Sequence, residues 1–340
     1  MNYWWLEIGI LLRTMTIRKV WNGVLVLVSY YVSRWLGKVY HWGKPISVGI
    51  EPTTACNLRC PQCISGLRAF TRPIGRLQRE NFEKLIDEIH KELIYLILYF
   101  QGEPYLNPDF LEMVAYASKK GVFTMTSTNG HFLDEKTATA TVLSGLKRVV
   151  ISMDGITQES YSKYRIAGEL DKVLVGINNL VAAKKRLKSK TPLIDLQFIV
   201  FAHNENEIEG VKLLAKKLGV DRLLIKTAQI YDFEGGSELL PKNKEYSRYA
   251  AGVSGEYLIN NKLSNHCWRL WRGCEITWDG RVLPCCFDKD AQHQMGHFPQ
   301  NTFQTIWKGD TYNQFRTTIL KGRKHIEMCK NCSEGTKVWG

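Results

Sequence analysis

From about residue 46 the chain alternates short apolar runs with longer stretches in which apolar residues recur every three or four positions. The runs fall at 47–53, 94–101, 122–127, 148–153, 194–201 and 222–227, and their length and β-branched content predict strands. The stretches at 79–92, 108–120, 134–144, 171–188 and 206–218 predict amphipathic helices, with Gly121, Gly145 and Gly219 at helix exits. Six strands alternating with helices imply an α/β fold, a parallel sheet curved into a full or partial barrel. Its chemistry would sit at the C-terminal ends of the strands.

Two regions break this pattern. Residues 1–45 are apolar and aromatic, but Glu7, Arg13, Asn22, Ser29, Ser33 and Arg34 interrupt them, so neither apolar stretch is a clean membrane span. The expectation adopted is a helical segment that packs on the barrel, capping its bottom or lying on its flank. A peripheral membrane contact, with basic residues at the headgroups, is the other reading. Gly235, Gly236, Pro241 and polar neighbours mark a connection. The predicted division is 1–45, helical segment; 46–228, barrel; 229–266, connection; 267–340, a small cysteine-rich unit.

The chain has 340 residues, 44% hydrophobic and 23% charged, enough for one large folded domain and an appendage. A formal charge of +13 suits an anionic partner. Much of it lies in the run Lys184, Lys185, Arg186, Lys188 and Lys190 at a predicted helix end, read as a solvated face, and no nucleic acid is expected. The nine cysteines are more informative. An odd number in a long chain, closely spaced and without a recognisable cleaved signal, argues against a disulfide framework. It argues for metal in a reducing compartment, so the expected location is cytoplasmic, with membrane association as an addition.

Cys56-Asn-Leu-Arg-Cys60-Pro-Gln-Cys63 directly follows the first predicted strand. Three thiolates at i, i+4 and i+7 can converge within one loop, and thiolates are the usual ligands of iron–sulfur clusters. A cubane cluster held by three cysteines keeps one iron open to a small molecule, as a catalytic zinc keeps one position open. Zinc is the alternative here, although His90 is too far along to complete a local site. The next three strands end in Gln101-Gly102-Glu103-Pro104, Ser127-Thr128-Asn129-Gly130 and Ser152-Met153-Asp154-Gly155, with Arg165 shortly after.

These motifs, in this order at successive strand ends, resemble the radical S-adenosylmethionine (SAM) superfamily, with its CxxxCxxC, GGEP and TNG segments. The resemblance covers residues 46–335. It implies a partial (β/α)6 TIM-like barrel with a SAM-binding 4Fe–4S cluster on Cys56, Cys60 and Cys63. It further implies a SAM site built from Gln101, Gly102, Glu103, Pro104, Ser127, Asn129, Ser152, Asp154 and Arg165. Two positions depart from the family pattern. Gln101 replaces the first glycine of GGEP, and Gln62 stands where an aromatic residue often packs near adenine.

The remaining cysteines lie in Cys267-x6-Cys274, in Trp278-Asp279-Gly280-x3-Pro284-Cys285-Cys286 and in Cys329-x2-Cys332. Asp279-Gly280 between apolar runs predicts a hairpin turn, which would set Cys285 near Cys267. The pattern resembles the SPASM/twitch domain and implies an auxiliary 4Fe–4S cluster. The preferred ligands are Cys267, Cys285, Cys329 and Cys332, with Cys274 and then Cys286 in reserve and structural zinc as the alternative.

What the resemblance implies is reductive cleavage of SAM to a 5′-deoxyadenosyl radical that abstracts hydrogen from an unidentified substrate. A net oxidation assisted by the auxiliary cluster is the first reading. The alternatives are a bond-forming or group-transfer enzyme and a non-catalytic zinc-binding adaptor. The implied partners are an electron donor such as flavodoxin or ferredoxin and a peptide, sugar or lipid-linked substrate. Peptide-modifying members often carry a leader-recognition domain before the barrel, and the 45 residues here are too few and too apolar for one. Tyr231, Asp232 and Glu234, after the sixth strand, either face the substrate or form a solvated loop.

Overall fold

All six predicted strands form, and the order in which they pair follows the order in which they are made. A computed structural model describes residues 3–261 and 263–338; positions 1–2 and 339–340, included in the first and last predicted segments, lie outside it. Strands β1 (Ser47–Ile50), β2 (Tyr95–Ile97), β3 (Phe123–Thr128), β4 (Arg148–Ser152), β5 (Leu193–Val200) and β6 (Arg222–Thr227) pair side by side, all parallel. Parallel neighbours need crossovers, and helices supply them.

Two helices precede the barrel, α1 (Tyr3–Leu12) and α2 (Ile17–Leu36). Within it run α3 (Ile64–Leu67), α4 (Arg79–Ile89), α5 (Phe110–Lys119), α6 (Glu135–Leu143), α7 (Gln158–Tyr164), α8 (Leu170–Arg186) and α9 (Ile208–Leu218). Local chemistry sets their ends. Asp134 accepts the Thr137 amide at the start of α6, Thr157 and Ser160 form a reciprocal cap on α7, and Gly219 ends α9 in the left-handed region. The apolar faces of these helices, including Ile86, Met113, Val173, Ile177 and Val211, bury against Leu96, Val149, Ile151, Leu196 and Phe198 of the sheet.

The connection carries a small antiparallel ribbon, β7 (Tyr249–Ala251) with β8 (Tyr257–Ile259). Beyond it α10 (Trp268–Arg272) leads into β9 (Gly273–Ile276), which pairs in parallel with the free edge of β1. The predicted hairpin then returns as β10 (Arg281–Leu283), and β11 (Gly296–His297) adds one more strand. Gly280 turns the hairpin at φ +93, where a Cβ would lie 1.9 Å from the Phe298 carbonyl oxygen. The sheet therefore runs β11-β10-β9-β1-β2-β3-β4-β5-β6, open between its ends, with the C-terminal hairpin continuing the barrel wall. Helices α11 (Phe303–Lys308), α12 (Asp310–Gly322) and α13 (Glu327–Lys330) close the chain.

The N-terminal helices pack on the barrel, as expected. Tyr3 donates to Asp195 near the start of β5, Glu7 pairs with Arg148 at the start of β4, and Ile10 packs on Phe123 and Leu193. α1 thus plugs the bottom of the barrel. α2 buries Tyr30 against Trp268 and Trp271 of α10. Among the described residues no helix is long and apolar enough to cross a membrane.

One buried ion pair joins three segments. Arg72 donates two hydrogen bonds to Glu51 at the end of β1, at 2.6 and 2.8 Å, and Glu51 also accepts the Trp278 amide of the hairpin turn. Both side chains are shielded from water, so removing one partner strands the other charge. Arg72→Met is expected to destabilise the protein by about 3–5 kcal/mol. Urea unfolding under anaerobic conditions checks it, and a loss below about 1 kcal/mol would show that the pair is dispensable.

Candidate active site and the second cysteine site

The C-terminal ends of the strands open into a cavity of about 410 Å³. Cys56, Cys60 and Cys63 line it together with Gln101, Gly102, Glu103, Ser127, Asn129, Ser152 and Arg165. All three cysteines of the first group and seven of the nine residues read as a SAM site therefore share one wall. The two others stand behind it. Pro104 opens a short 3-10 turn, and Asp154, fully buried, is occupied by Arg165 at 2.6 Å and by the Ile199 amide at 2.7 Å. Asp154 holds Arg165 in place, and Arg165 in turn reaches the Cys60 sulfur at 3.8 Å.

Gly102 shows why the loop after β2 reads as it does. Its φ is +72, and a Cβ there would lie 2.2 Å from the Thr53 carbonyl oxygen, so the loop after β1 lies hard against it. Its amide donates to Ser65, and the next amide, that of Glu103, donates to Ala55. The Glu103 carboxylate accepts from Thr128 Oγ1 at 2.7 Å and from the Asn129 amide at 2.8 Å. Burial pushes its pKa up to about 7 despite those donors. Asn129 also donates to Asn57 in the cysteine loop.

Several lining residues carried no recognisable signal in the sequence: Ser65, Tyr99, Tyr164, Gln197, Gln229 and Lys289. Lys289 is the most consequential. It follows the hairpin and reaches across to the barrel, where its amine donates to the Tyr231 hydroxyl at 3.1 Å and to Gln229 at 3.4 Å. Burial lowers its pKa. Tyr231 lines the cavity, its amide donating to Gln62, whereas Asp232 and Glu234 are exposed. Tyr231 and Lys289 also line a neighbouring groove.

The second cysteine group forms a separate small cavity, lined by Cys267, Cys285, Cys329 and Cys332 with Phe287, Phe315, Ile319 and Met328. The four cysteines preferred from spacing meet here. Cys274 lies on β9 beside Val48 and does not line this cavity, nor does Cys286. β10 ends at Leu283, so Cys285 and Cys286 lie in the turn beyond it, and the Cys286 sulfur accepts from Arg269 at 3.4 Å. Arg323 is fully buried at this site and donates to the Cys332 sulfur at 3.0 Å and to two backbone carbonyls. Burial pushes the Cys56 and Cys329 thiols up to about 11. Ligation by iron would reverse that, since a coordinating thiol is deprotonated outright. Thiol sets of three and four, in walled cavities with one arginine beside each, fit iron–sulfur clusters in chemistry and in charge. Among the described residues no three His, Cys, Asp or Glu side chains are grouped as a single metal ion would hold them.

Comparison with known proteins agrees with this geometry. Residues 50–215 match the radical SAM superfamily, and residues 267–333 match the SPASM iron–sulfur cluster-binding domain. Mycofactocin maturase MftC of Mycobacterium tuberculosis is 34% identical over 311 residues, covering 85% of this chain and 75% of the relative. The chain belongs to the radical SAM superfamily. It is a radical SAM enzyme with a SPASM domain, and its cofactors are SAM and 4Fe–4S clusters. The PqqA peptide cyclase of Gluconobacter oxydans is 26% identical over 315 residues, 87% of this chain and 85% of the relative. Among solved structures, Streptococcus suis SuiB bound to SAM superposes with a TM-score of 0.63 at 13% identity, covering 90% of this chain and 75% of that one. BtrN in complex with SAM gives 0.53 at 16% identity, covering 86% and 94%. These two likenesses concern the fold.

The resemblance assigns Glu103 to the amino group of SAM, and a charged acceptor there would contribute about 1.5–3 kcal/mol, or about ten- to a hundredfold in affinity. Glu103→Gln should therefore weaken SAM binding by at least about tenfold at pH 8. Because the wild-type carboxylate is ionised only above about 7, the gap between wild type and variant should narrow as pH falls through that value. Titration of SAM into the cluster-loaded proteins at several pH values checks both; a gap independent of pH would remove Glu103 from this role.

Proposed function

We propose that the enzyme forms a 5′-deoxyadenosyl radical at the cavity of Cys56, Cys60 and Cys63 and uses it to oxidise a peptide substrate by two electrons. A 4Fe–4S cluster with one iron free of protein ligands supplies, when reduced, the electron that splits SAM into methionine and that radical. Glu103 accepts a hydrogen bond from the amino group of SAM. Ser127, Asn129, Ser152 and Arg165 hold the rest of the molecule, with Asp154 and Pro104 fixing Arg165 and the Glu103 loop from behind. Tyr99, Tyr164 and Ile199 keep the reacting carbon away from water.

The substrate gives up a hydrogen atom to the deoxyadenosyl carbon, then a proton and an electron; Cys267, Cys285, Cys329 and Cys332 would hold an auxiliary 4Fe–4S cluster, which would supply the acceptor for that electron. A small redox protein of the flavodoxin or ferredoxin kind supplies and collects electrons. The observation that carries the peptide reading is the shared wall of Tyr231 and Lys289, where the SAM cavity meets an outer groove. A flexible chain can lie in the groove and present one residue to the cavity. The names of two relatives, a peptide cyclase and a maturase, support the same substrate class.

Anaerobic reconstitution should give about eight irons per chain and, with SAM and dithionite, release 5′-deoxyadenosine. Cys60→Ala should fall to about four irons and release none, whereas Cys329→Ala should fall to about four yet still cleave SAM. In a library of ribosomally made peptides the wild-type enzyme should produce members that have lost two hydrogens, and Cys329→Ala should not. Zinc in place of iron would overturn the reading. SAM cleavage with no modified peptide would overturn the substrate class alone.

A further inference from the structure

Helix α2 is amphipathic in the wrong sense for a helix surrounded by water. Of its six buried residues four are polar, Lys19, Asn22, Ser29 and Ser33. Each is satisfied from within. Lys19 donates to the Thr14 and Gly121 carbonyls, and Asn22 pairs with the Lys44 backbone in both directions. Ser29 bonds to Val26, and Ser33 bonds to Ser29 and Tyr40. The opposite face is apolar and open. Ile17, Trp21, Val24, Val28, Tyr31 and Trp35 follow one another at steps of three and four residues, so they form one stripe. Ile17 is 91% exposed, Trp35 85% and Trp21 62%. Trp5, Ile8 and Leu12 of α1, the helix that leads into α2, are exposed as well, and Trp42 adds a further exposed ring beyond α2. Elsewhere on the described surface large apolar side chains are exposed only in scattered positions.

Within residues 1–45 the charges are almost all of one sign, and Arg18 beside Ile17 pairs with the buried Glu92. Residues 1–45 contain six lysines and arginines and a single acid, Glu7, which is turned inward to Arg148. Arg13, Arg34 and Lys38 stand exposed at the ends of the stripe, where α1 meets α2 and where α2 ends at Gly37. Tryptophan and tyrosine with aliphatic residues, flanked at both ends by exposed basic side chains, match the boundary between acyl chains and anionic headgroups. A partner helix packed along the same stripe would be expected to leave flanking charges of both signs.

We propose that α1 and α2 form a monolayer-docking face for an anionic phospholipid membrane. Placement within the fold fixes the orientation. The contacts of α1 and α2 are with segments that enter β1, β2, β3, β4, β5 and β9 at their N-terminal ends: Lys44, Glu92, Gly121, Arg148, Leu193 and α10. The SAM cavity opens at the C-terminal ends. The bilayer therefore lies under the barrel and the mouth faces away from it. Docking places the enzyme at a membrane without bringing lipid headgroups to the radical.

Vesicle flotation of the full-length, cluster-loaded protein tests this. Vesicles containing about one third phosphatidylglycerol should carry the protein, pure phosphatidylcholine much less, and added salt should weaken the binding. The triple variant Ile17→Ser, Trp21→Ser, Trp35→Ser should bind at least about tenfold more weakly with an unchanged melting temperature. Arg13→Gln with Arg34→Gln and Lys38→Gln should abolish the preference for phosphatidylglycerol, and this second variant leaves the apolar stripe intact. Flotation equal to wild type in both variants would overturn the proposal. So would a wild-type protein that ignores vesicles, whether it is monomeric or a dimer that the triple variant dissociates.

Discussion

Strand β1 is hydrogen-bonded along both edges, to β2 on one side and to β9 on the other. That double pairing is the constraint from which the rest of the architecture follows. A barrel of six strands ends with a free edge at β1, and here the C-terminal hairpin occupies it, in register with Ser47↔Gly273 through Ile50↔Ile276. The loop that leaves β1 carries the first cysteines, and the turn that leaves β10 carries Cys285 and Lys289. Two groups of thiols, distant in sequence, are thereby held on neighbouring parts of one sheet. The buried Glu51–Arg72 pair and the Trp278 amide tie the same junction from the strand's end. A shift of one residue in the β1–β9 register would turn every side chain of β9 to the opposite face.

The same arrangement repeats at both thiol sites. Arg165 is set beside Cys60 by Asp154, and Arg323 is set beside Cys332 by backbone carbonyls. Arg323 is buried and Arg165 is mostly shielded, and guanidinium remains charged where an amine would be neutralised. Clusters held by thiolates bring negative charge into a poorly solvated place, and a fixed cation lowers that cost. Glu103 is placed on different terms. Its three donors are a hydroxyl and two backbone amides, which orient the carboxylate without neutralising it, so burial still dominates its ionisation. A site organised in this way is ready for a positively polarised ligand group.

Much of this was legible in the sequence. The six strands and five of the helices between them appear within a few residues of their predicted positions, because apolar runs and a period of 3.6 are local properties of the chain; the short α3 and α7 were not predicted. The Asp279-Gly280 turn is local too. The motif residues at successive strand ends came together in one cavity because a parallel sheet places all its C-terminal ends on one side. The preference for Cys267, Cys285, Cys329 and Cys332 over Cys274 and Cys286 coincides with the cavity that the first four line.

The sequence by itself determined which chemistry was available and in what order along the chain, because each motif is a short run whose spacing carries its meaning. Only the tertiary structure decided what stands opposite those runs. Lys289 against Tyr231 and Gln229, Arg323 against Cys332, and Asp154 turned from the cavity toward Arg165 depend on contacts that no periodicity encodes. The direction in which α2 faces is of the same kind. Its sequence holds both a polar and an apolar face, and hydropathy alone would bury the apolar one. The carbonyls of Thr14, Gly121 and Lys44 lie where only the polar face can satisfy them, and so the tryptophans point out.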